Sequence, residues 1–334
     1  MNAASLPAIV LLGTGGTIAA TAPLSSSVTD YEVTEGVSAL IAAVPELASL
    51  ARIVGRQVFN TDSRYITGEH LIQLAAATQS ALDDPDIAGA VIAHGTDTLE
   101  ESAYFLNLVL KTDKPVVLTG AMRPASALSA DGPMNLHDAV ALAASPAARG
   151  QGVLATLNGA VHAAREVSKR HTTHVQAFGG GEAGCMGSIH GGTVALWRGA
   201  PGKHTLDTPF SVETLAGLPA LPRVDILYDH QDAGSHLYDA SIGAGVDGIV
   251  VAGTGNGSLS AGAQAGVQAA IEAGLLCVRC TRLPDGPVTA SRDDAELGTI
   301  HAGRLNPQKA RILLMLALTR TRDRGAVQAC FEHY

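Results

Sequence analysis

Two loops in the first third of the chain combine glycine with threonine in an arrangement suited to nucleophilic chemistry. They are residues 13–17 (GTGGT) and 94–98 (HGTDT). A threonine hydroxyl becomes a nucleophile when a neighbouring base takes its proton. Glycines before Thr17 would let backbone N–H groups approach a reacting carbonyl and form an oxyanion hole. Each threonine also fits a structural role in a turn or at an N-cap, so the loops alone leave both interpretations open.

Other chemistries suggested by short motifs lack necessary residues. A dinucleotide-binding fingerprint would need glycine where Ile18 stands, and no GxSxG nucleophile elbow occurs. Cys277 and Cys280 have CxxC spacing inside a predicted strand, where residues three apart point to opposite faces, so we expect reduced structural thiols. His171 and His174 have no third ligand at useful spacing, so no metal site is expected.

Alternating strand and helix patterns place both loops after strands. The predicted strands cover 8–12, 52–59, 88–93 and 115–119, and the predicted helices cover 34–44, 68–82, 99–110 and 134–144. This alternation is typical of a parallel sheet with helices on both faces. Such sheets bind ligands at the carboxyl ends of their strands, which is where both loops fall.

A segment rich in proline and glycine, 204–222, is the predicted linker between two βα series. Beyond it, predicted strands cover 224–228, 248–252 and 275–278, and predicted helices cover 233–244 and 261–273. A last helix begins after an N-cap at Asn306, with Pro307 at its first position. We therefore predict an α/β fold: a larger N-terminal catalytic domain over 1–203, with a doubly wound parallel sheet, and a smaller C-terminal α/β domain over 223–334.

Composition argues against several classes of function. The 334 residues are 46% hydrophobic and 16% charged, which allows a large core and argues against disorder. The net charge of −9 argues against a nucleic-acid partner. No apolar run approaches the roughly 20 residues of a membrane span. The N-terminus lacks the basic region of a secretory signal, which favours a cytoplasmic location, with a periplasmic one as the alternative.

Five blocks of sequence resemble the signature motifs of the bacterial-type L-asparaginase family. They are 13–19 (GTGGTIA), 94–103 (HGTDTLEESA), 114–124 (KPVVLTGAMRP), 129–133 (SADGP) and 305–311 (LNPQKAR), in the family's order. The resemblance implies a hydrolase that converts the side-chain amide of L-asparagine, and often of glutamine, to the acid and ammonia, without metal or cofactor. It also implies a homotetramer, a dimer of dimers, in which a neighbouring C-terminal domain completes each site.

The same resemblance implies catalytic roles for individual residues. Thr17 matches the nucleophile that forms an acyl-enzyme, and Tyr31 matches the lid tyrosine beside it. Thr96, Asp97 and Lys169 match a second constellation, of which Thr96 and Asp97 also bind substrate. A buried Lys169 would act as a base toward Thr96 or a water.

Substrate-binding roles follow from the resemblance as well. Ser63 matches the serine that binds the substrate α-carboxylate, and Ala121 matches a residue whose backbone carbonyl meets the amide nitrogen. Asn256 matches a residue supplied by a neighbouring subunit. Arg64 is a departure, because the family commonly has Gln or Glu there, beside the substrate α-ammonium. A cation at this position predicts weaker substrate binding than is typical of the family, or a substrate with a modified α-amine.

A second departure lies in the C-terminal domain. By the resemblance, Ser291 stands where the family supplies an acidic residue to the neighbouring site. That residue is therefore either absent here or replaced by the nearby Asp293 or Asp294.

The sequence leaves three alternatives to a dedicated L-asparaginase. One is a broad-specificity glutaminase-asparaginase, which differs in its ratio of activities on asparagine and glutamine. Another is the related subunit of a tRNA-dependent amidotransferase, although we expect that form to have an extra N-terminal domain and a basic partner surface, and the sequence shows neither. The third is a non-catalytic, small-amide-binding sensor of the same fold. Two threonine–base constellations argue against the sensor, because a pure binder needs neither.

Overall fold

The computed structural model describes residues 6–21, 32–33 and 35–334. The chain forms two compact units, Met1–Ala216 and Gly217–Tyr334. The division falls inside the segment 204–222 that was predicted as a linker. Its first part is held on the first unit, since Lys111 Nζ donates to the carbonyl oxygens of Thr205 and Thr208 at 2.7 Å each. The extent of a linker stays a prediction.

The first unit is built on a mixed eight-stranded sheet in the order β12-β11-β8-β7-β6-β5-β1-β4. In chain order its described elements are β1 (Ala8–Gly13), β2 (Ala20–Thr21), β3 (Glu32–Val33), α1 (Val37–Ala42), β4 (Arg52–Gln57), α2 (Gly68–Leu82), β5 (Ile87–Ala93), α3 (Leu99–Val109), β6 (Val116–Thr119), α4 (Gly132–Ala144), β7 (Val153–Leu157), β8 (Ala160–Ala163), β9 (Ser168–Lys169), β10 (Phe178–Gly179), β11 (Gly187–His190), β12 (Thr193–Leu196) and α5 (Val212–Ala216). Strands β4, β1, β5, β6 and β7 are parallel, which confirms the predicted parallel sheet.

The centre of this sheet is buried on both faces, which is why its strands are continuous apolar runs. Residues of β1, β5 and β6 are almost all inaccessible to solvent. Helices α1 and α4 cover one face, where Leu136 and Val140 join Ile9, Leu11 and Val117 in one apolar cluster. Helices α2 and α3 contact β5, β6 and β7. The predicted doubly wound arrangement is therefore present in the first unit.

Three antiparallel strands extend the sheet at one edge, which the sequence analysis did not predict. Strand β8 pairs antiparallel with β7, β11 with β8, and β12 with β11. The turns are two-residue hairpins with positive φ at both positions: Asn158 (51°) with Gly159 (72°), and Gly191 (54°) with Gly192 (76°). Asn-Gly and Gly-Gly pairs favour such turns, so the sequence does contain a signal for these two hairpins.

The second unit is a smaller α/β unit with a parallel sheet in the order β13-β14-β15-β16. Its elements are β13 (Val224–Tyr228), α6 (His236–Gly243), β14 (Gly248–Gly253), α7 (Ala261–Glu272), β15 (Leu276–Thr281), α8 (Arg292–Leu297), β16 (Ile300–His301), α9 (Pro307–Leu318) and α10 (Arg324–His333). Asn306 caps α9 as predicted, its Oδ1 accepting from the backbone N–H of Lys309 at 3.0 Å. Cys277 and Cys280 are buried in β15 as free thiols, and burial raises the pKa of each to about 12.

Over the part of the chain that the structure describes, none of the helices combines the length and the apolar character needed to traverse a bilayer.

Candidate active site

The two glycine–threonine loops leave the sheet side by side. Strands β1 and β5 are parallel neighbours, and their last residues, Gly13 and Ala93, are paired in register. The Thr14 backbone N–H and its Oγ1 both donate to the Ala93 carbonyl oxygen, at 3.1 and 3.0 Å. Both loops therefore start at the carboxyl edge of the sheet, as the strand pattern predicted.

Glycine is required where the loops touch. Gly16 has φ +82°, and a Cβ atom there would overlap the Gly95 backbone. A Cβ atom on Gly95 would lie 2.7 Å from Ser63 Oγ. Three loops can thus interlock only because two of these positions have no side chain. Thr17 starts a single 3-10 turn directly after Gly16 and is 4% exposed.

Ser63 is brought to the same place by two hydrogen bonds to its loop. The Thr61 backbone N–H donates to the Thr14 carbonyl oxygen at 3.0 Å, and Thr98 Oγ1 donates to the Ser63 carbonyl oxygen at 2.9 Å. Ser63 itself is 2% exposed. Thr98 is a positioning residue that the sequence analysis did not single out, although it lies inside the 94–103 block.

The loop after β6 closes on the same cluster. A Cβ atom on Gly120 would lie 3.1 Å from Thr96 Cγ2, and Ala121 follows directly. Asn135 on α4 holds this loop, since its Nδ2 donates to the Gly120 carbonyl oxygen at 2.9 Å. Gly120 therefore lies beside Thr96, with Ala121 next in the chain, and Asn135 is a second positioning residue that sequence reasoning missed.

A lysine from a distant hairpin completes the cluster. Lys169 lies in β9, where it is paired with Phe178 of β10. Its Nζ donates to Thr96 Oγ1 at 2.9 Å and to Asp97 Oδ1 at 2.6 Å. The Lys169 side chain is 16% exposed and that of Asp97 is 51% exposed. The structure thus brings together the three residues that the sequence grouped as one constellation.

His94 supports the second loop from inside the protein. It is fully buried, and its Nδ1 donates to the Gly95 carbonyl oxygen at 2.6 Å. Burial lowers the pKa of His94 to about 4, against the opposing effect of that backbone hydrogen bond. The ring is therefore neutral near pH 7, and it supports the loop by packing and by this hydrogen bond rather than by charge.

The three remaining predicted site residues are Tyr31, Arg64 and Asn256. Tyr31 lies outside the described residues. Arg64 has a side chain that is 63% exposed, with Nε 3.2 Å from Asp62 Oδ2 and the guanidinium 5.0 Å from the centre of the Tyr65 ring. Asn256 belongs to the second unit, in the turn that follows β14.

Asp294, one of the two candidate replacements for an acidic residue at Ser291, has a carboxylate that is hydrogen-bonded inside the second unit. It accepts from Arg279 Nε and Nη2, and from Thr299 Oγ1, at 2.7 Å each, and from the Ser291 backbone N–H at 2.8 Å. Burial raises the pKa of Asp294, but the hydrogen bonds from Arg279 and Thr299 outweigh burial and lower it below the usual range. The side chain of Asp293 lies outside the description.

The described residues contain no group of three or more His, Cys, Asp or Glu side chains that could hold a metal ion. The rings of His171 and His174 stack with centroids 3.6 Å apart, and His171 Nδ1 already accepts from the backbone N–H groups of Thr173 and His174. The histidine pair therefore belongs to a local turn between β9 and β10.

The structure thus describes an α/β fold of two units, in which Lys169 of β9 meets Thr96 and Asp97 in a loop at the carboxyl edge of the larger sheet. Comparison with known proteins gives the class. The chain matches the family model "Asparaginase, N-terminal" over residues 8–201 and "Glutaminase/Asparaginase C-terminal domain" over 223–331.

Individual relatives match nearly end to end. The chain is 47% identical to L-asparaginase 2 of Bacillus subtilis, over 98% of this chain and 87% of that protein. It is 43% identical to a glutaminase-asparaginase of Acinetobacter glutaminasificans, over 98% of this chain and 99% of that protein. A crystal structure of a probable cytoplasmic L-asparaginase from Campylobacter jejuni matches with a TM-score of 0.95 and 43% identity, over 98% of this chain and 100% of that one. The chain belongs to the bacterial-type L-asparaginase family of enzymes.

Proposed function

We propose that this enzyme hydrolyses the side-chain amide of L-asparagine to L-aspartate and ammonia through a threonine nucleophile. The observation that carries the proposal is the position of Lys169 Nζ, within hydrogen-bond distance of both Thr96 Oγ1 and Asp97 Oδ1. The loop that holds Thr96 interlocks with the loop that holds Thr17. A nucleophile and a second hydroxyl–amine–carboxylate cluster at one sheet edge suit a two-step acyl transfer.

In the first proposed step, Thr17 Oγ1 attacks the carboxamide carbon. The carbon–nitrogen bond breaks, the leaving nitrogen gains the hydroxyl proton with the help of Tyr31, and an ester to Thr17 remains. The backbone N–H groups of Thr17 and Thr96 are the proposed donors to the oxygen that becomes negative. Splitting the hydrolysis in this way suits ammonia, which is a poor leaving group.

In the second proposed step, a water attacks the ester carbon, the bond from that carbon to Thr17 Oγ1 breaks, and L-aspartate is released. Lys169, acting directly or through Thr96, takes a proton from the attacking water, and a proton returns to Thr17 Oγ1 to restore its hydroxyl. Asp97 Oδ1, 2.6 Å from Lys169 Nζ, holds the lysine side chain beside Thr96. Asp97 therefore has a proposed positioning role in addition to binding substrate.

Substrate recognition is proposed to use the polar groups around the two threonines. Ser63 binds the α-carboxylate, the half-exposed Asp97 attracts the α-ammonium, and the Ala121 carbonyl accepts from the amide nitrogen. Arg64 opposes the α-ammonium by charge, although its ion pair with Asp62 offsets part of this repulsion.

A broad-specificity glutaminase-asparaginase is the second candidate function. It is supported by relatives with that name, at 43% identity in Acinetobacter glutaminasificans and 40% in Pseudomonas fluorescens. Ammonia release by the purified protein from asparagine and from glutamine decides between the two candidates. A strong preference for asparagine supports the first, and comparable rates support the second. Binding of either amide without ammonia release would instead identify a non-catalytic sensor.

We further propose a homotetramer in which Asn256 of a neighbouring subunit completes each site. Light scattering on the purified protein tests the assembly, and a monomer with full activity would contradict it. A cytoplasmic location also stays a proposal, because relatives carry both names: "probable cytoplasmic" in Campylobacter jejuni and "probable … periplasmic" in Haemophilus influenzae. Fractionation of the source cells tests it.

A further inference from the structure

The turn after β14 holds an exposed asparagine whose side chain is already bonded at both ends. Asn256 Nδ2 donates to Thr289 Oγ1 at 2.8 Å, and the Thr289 backbone N–H donates to Asn256 Oδ1 at 2.9 Å. A backbone N–H can only donate, so it fixes which amide atom is the oxygen and therefore the orientation of the amide. One Nδ2 hydrogen and one Oδ1 lone pair remain for a ligand.

A buried arginine holds the backbone on both sides of this contact. Arg279 Nη1 donates to the Gly257 carbonyl oxygen at 3.1 Å, and its Nη2 donates to the Thr289 carbonyl oxygen at 3.2 Å. Its Nε and Nη2 also form a two-point ion pair with Asp294, at 2.7 Å each. Arg279 is 1% exposed. One guanidinium thus ties the segment that carries Asn256 to the segment that carries Thr289.

This arrangement suits positioning better than stability. A buried ion pair often stabilises a protein no more than apolar side chains of similar volume would. Asn256 and Thr289 are both exposed, so the bonds between them add little to folding. They lie beyond Gly253, at the carboxyl edge of a parallel sheet, where such sheets bind ligands.

We propose that Thr289, backed by the Arg279–Asp294 ion pair, is a positioning residue that holds the Asn256 amide in the orientation in which it meets the substrate. This inference rests on the proposed function, in which Asn256 binds substrate. An amide that is already oriented loses little rotamer freedom when the ligand arrives. Thr289 therefore affects KM more than kcat.

Two substitutions at one position test the inference while leaving the buried ion pair intact. Thr289→Val removes the acceptor and keeps a similar shape, and Thr289→Ser keeps the hydroxyl. We expect Thr289→Val to raise KM for asparagine about two- to tenfold, the range of one net hydrogen bond, at nearly unchanged kcat. The dissociation constant of L-aspartate, measured by calorimetry, should rise in parallel. Thr289→Ser should restore both, and the melting temperature should stay within about 2 °C in each case because the site is exposed.

The same substitution in an Asn256→Ala background separates this inference from the proposed function. We expect Thr289→Val to change nothing further there, because its effect passes through Asn256. An equal rise in KM in both backgrounds would overturn the positioning role. A rise with Asn256→Ala but none with Thr289→Val would also overturn it, leaving the proposed function intact. If Asn256→Ala leaves KM and aspartate binding unchanged, the binding role of Asn256 fails and this inference fails with it.

Discussion

In the proposed binding mode, Arg64 places a cation near the substrate α-ammonium. The guanidinium is mostly exposed and pairs with Asp62, so we expect its repulsion of that ammonium to be on the order of 1 kcal/mol. We expect Arg64→Gln to lower KM for asparagine by up to about fivefold with little change in kcat. Steady-state ammonia release measures this, and Arg52→Gln, at the start of β4, is the control for the same change of charge. An unchanged or higher KM would contradict the prediction that Arg64 weakens substrate binding.

His94 makes the stability of the folded protein depend on pH. The unfolded histidine has an ordinary pKa of about 6.5, whereas the buried one has a pKa of about 4. Between these values the unfolded chain binds the extra proton, so stability is lost as pH falls from 6.5 toward 4. The loss from this group alone is of the order of 3 kcal/mol.

Urea unfolding of the wild type and His94→Gln, at pH 7 and at pH 4, measures this contribution. Glutamine does not titrate, so we expect the variant to lose less stability than the wild type over the same interval. Its lower stability at pH 7, from altered packing, does not affect that comparison. Equal losses in the two proteins would show that His94 does not supply the pH dependence.

At the scale of elements, the contact between the two glycine loops leaves no room for a side chain at Gly16. Gly16→Ala would place a methyl group on the Gly95 backbone at a positive φ. Gly150 also has positive φ (71°) but nothing within 4 Å of an added Cβ, so Gly150→Ala carries the backbone strain without the clash. We expect Gly150→Ala to keep its activity and to cost about 1 kcal/mol.

Gly16→Ala should cost at least about 2 kcal/mol more and abolish activity, because the loops must separate to admit the methyl group. Thermal melting and ammonia release on both variants measure the difference. Similar losses in the two would mean that the interlock has no special role.

The elements also show what the sequence could and could not predict. Long apolar runs such as β1 and β5 identified the parallel centre of the sheet because burial on both faces demands them. The predicted helix over 34–44 is shorter in the structure, where α1 ends at Ala42 and Pro45 starts a separate 3-10 turn. The four-residue strands of the antiparallel edge are too short for periodicity to register.

The site, too, contains residues that the sequence could locate and residues that it could not. Residues 13–17 and 94–98 are local motifs, and their positions followed from the strands before them. Lys169 lies in a polar stretch that by itself is typical of the surface, and only the fold brings it to Thr96, 73 residues away in sequence. Thr98 and Asn135 bind backbone carbonyls of other loops, and such contacts leave no mark on local sequence.

At the scale of the whole molecule, the proposed sharing of sites between subunits has a direct consequence. A chain with Thr17→Ala still supplies Asn256, and a chain with Asn256→Ala still supplies Thr17. We expect mixed oligomers of the two variants, made by co-expression, to regain activity because some sites combine both intact residues. Ammonia release at an asparagine concentration below KM of the Asn256→Ala protein measures the gain. Activity no higher than the average of the separate variants would place Asn256 in the site of its own chain, or outside any site.

The role of Thr17 is the claim on which the proposed chemistry depends, and ammonia release from asparagine by Thr17→Ala tests it most directly. The wild type and Thr17→Ser are measured beside it, with thermal melting to confirm that all three proteins fold. We expect kcat to fall at least about a thousandfold in Thr17→Ala, as for the loss of a covalent nucleophile, and Thr17→Ser to keep measurable turnover. A folded Thr17→Ala protein with wild-type turnover would contradict the account.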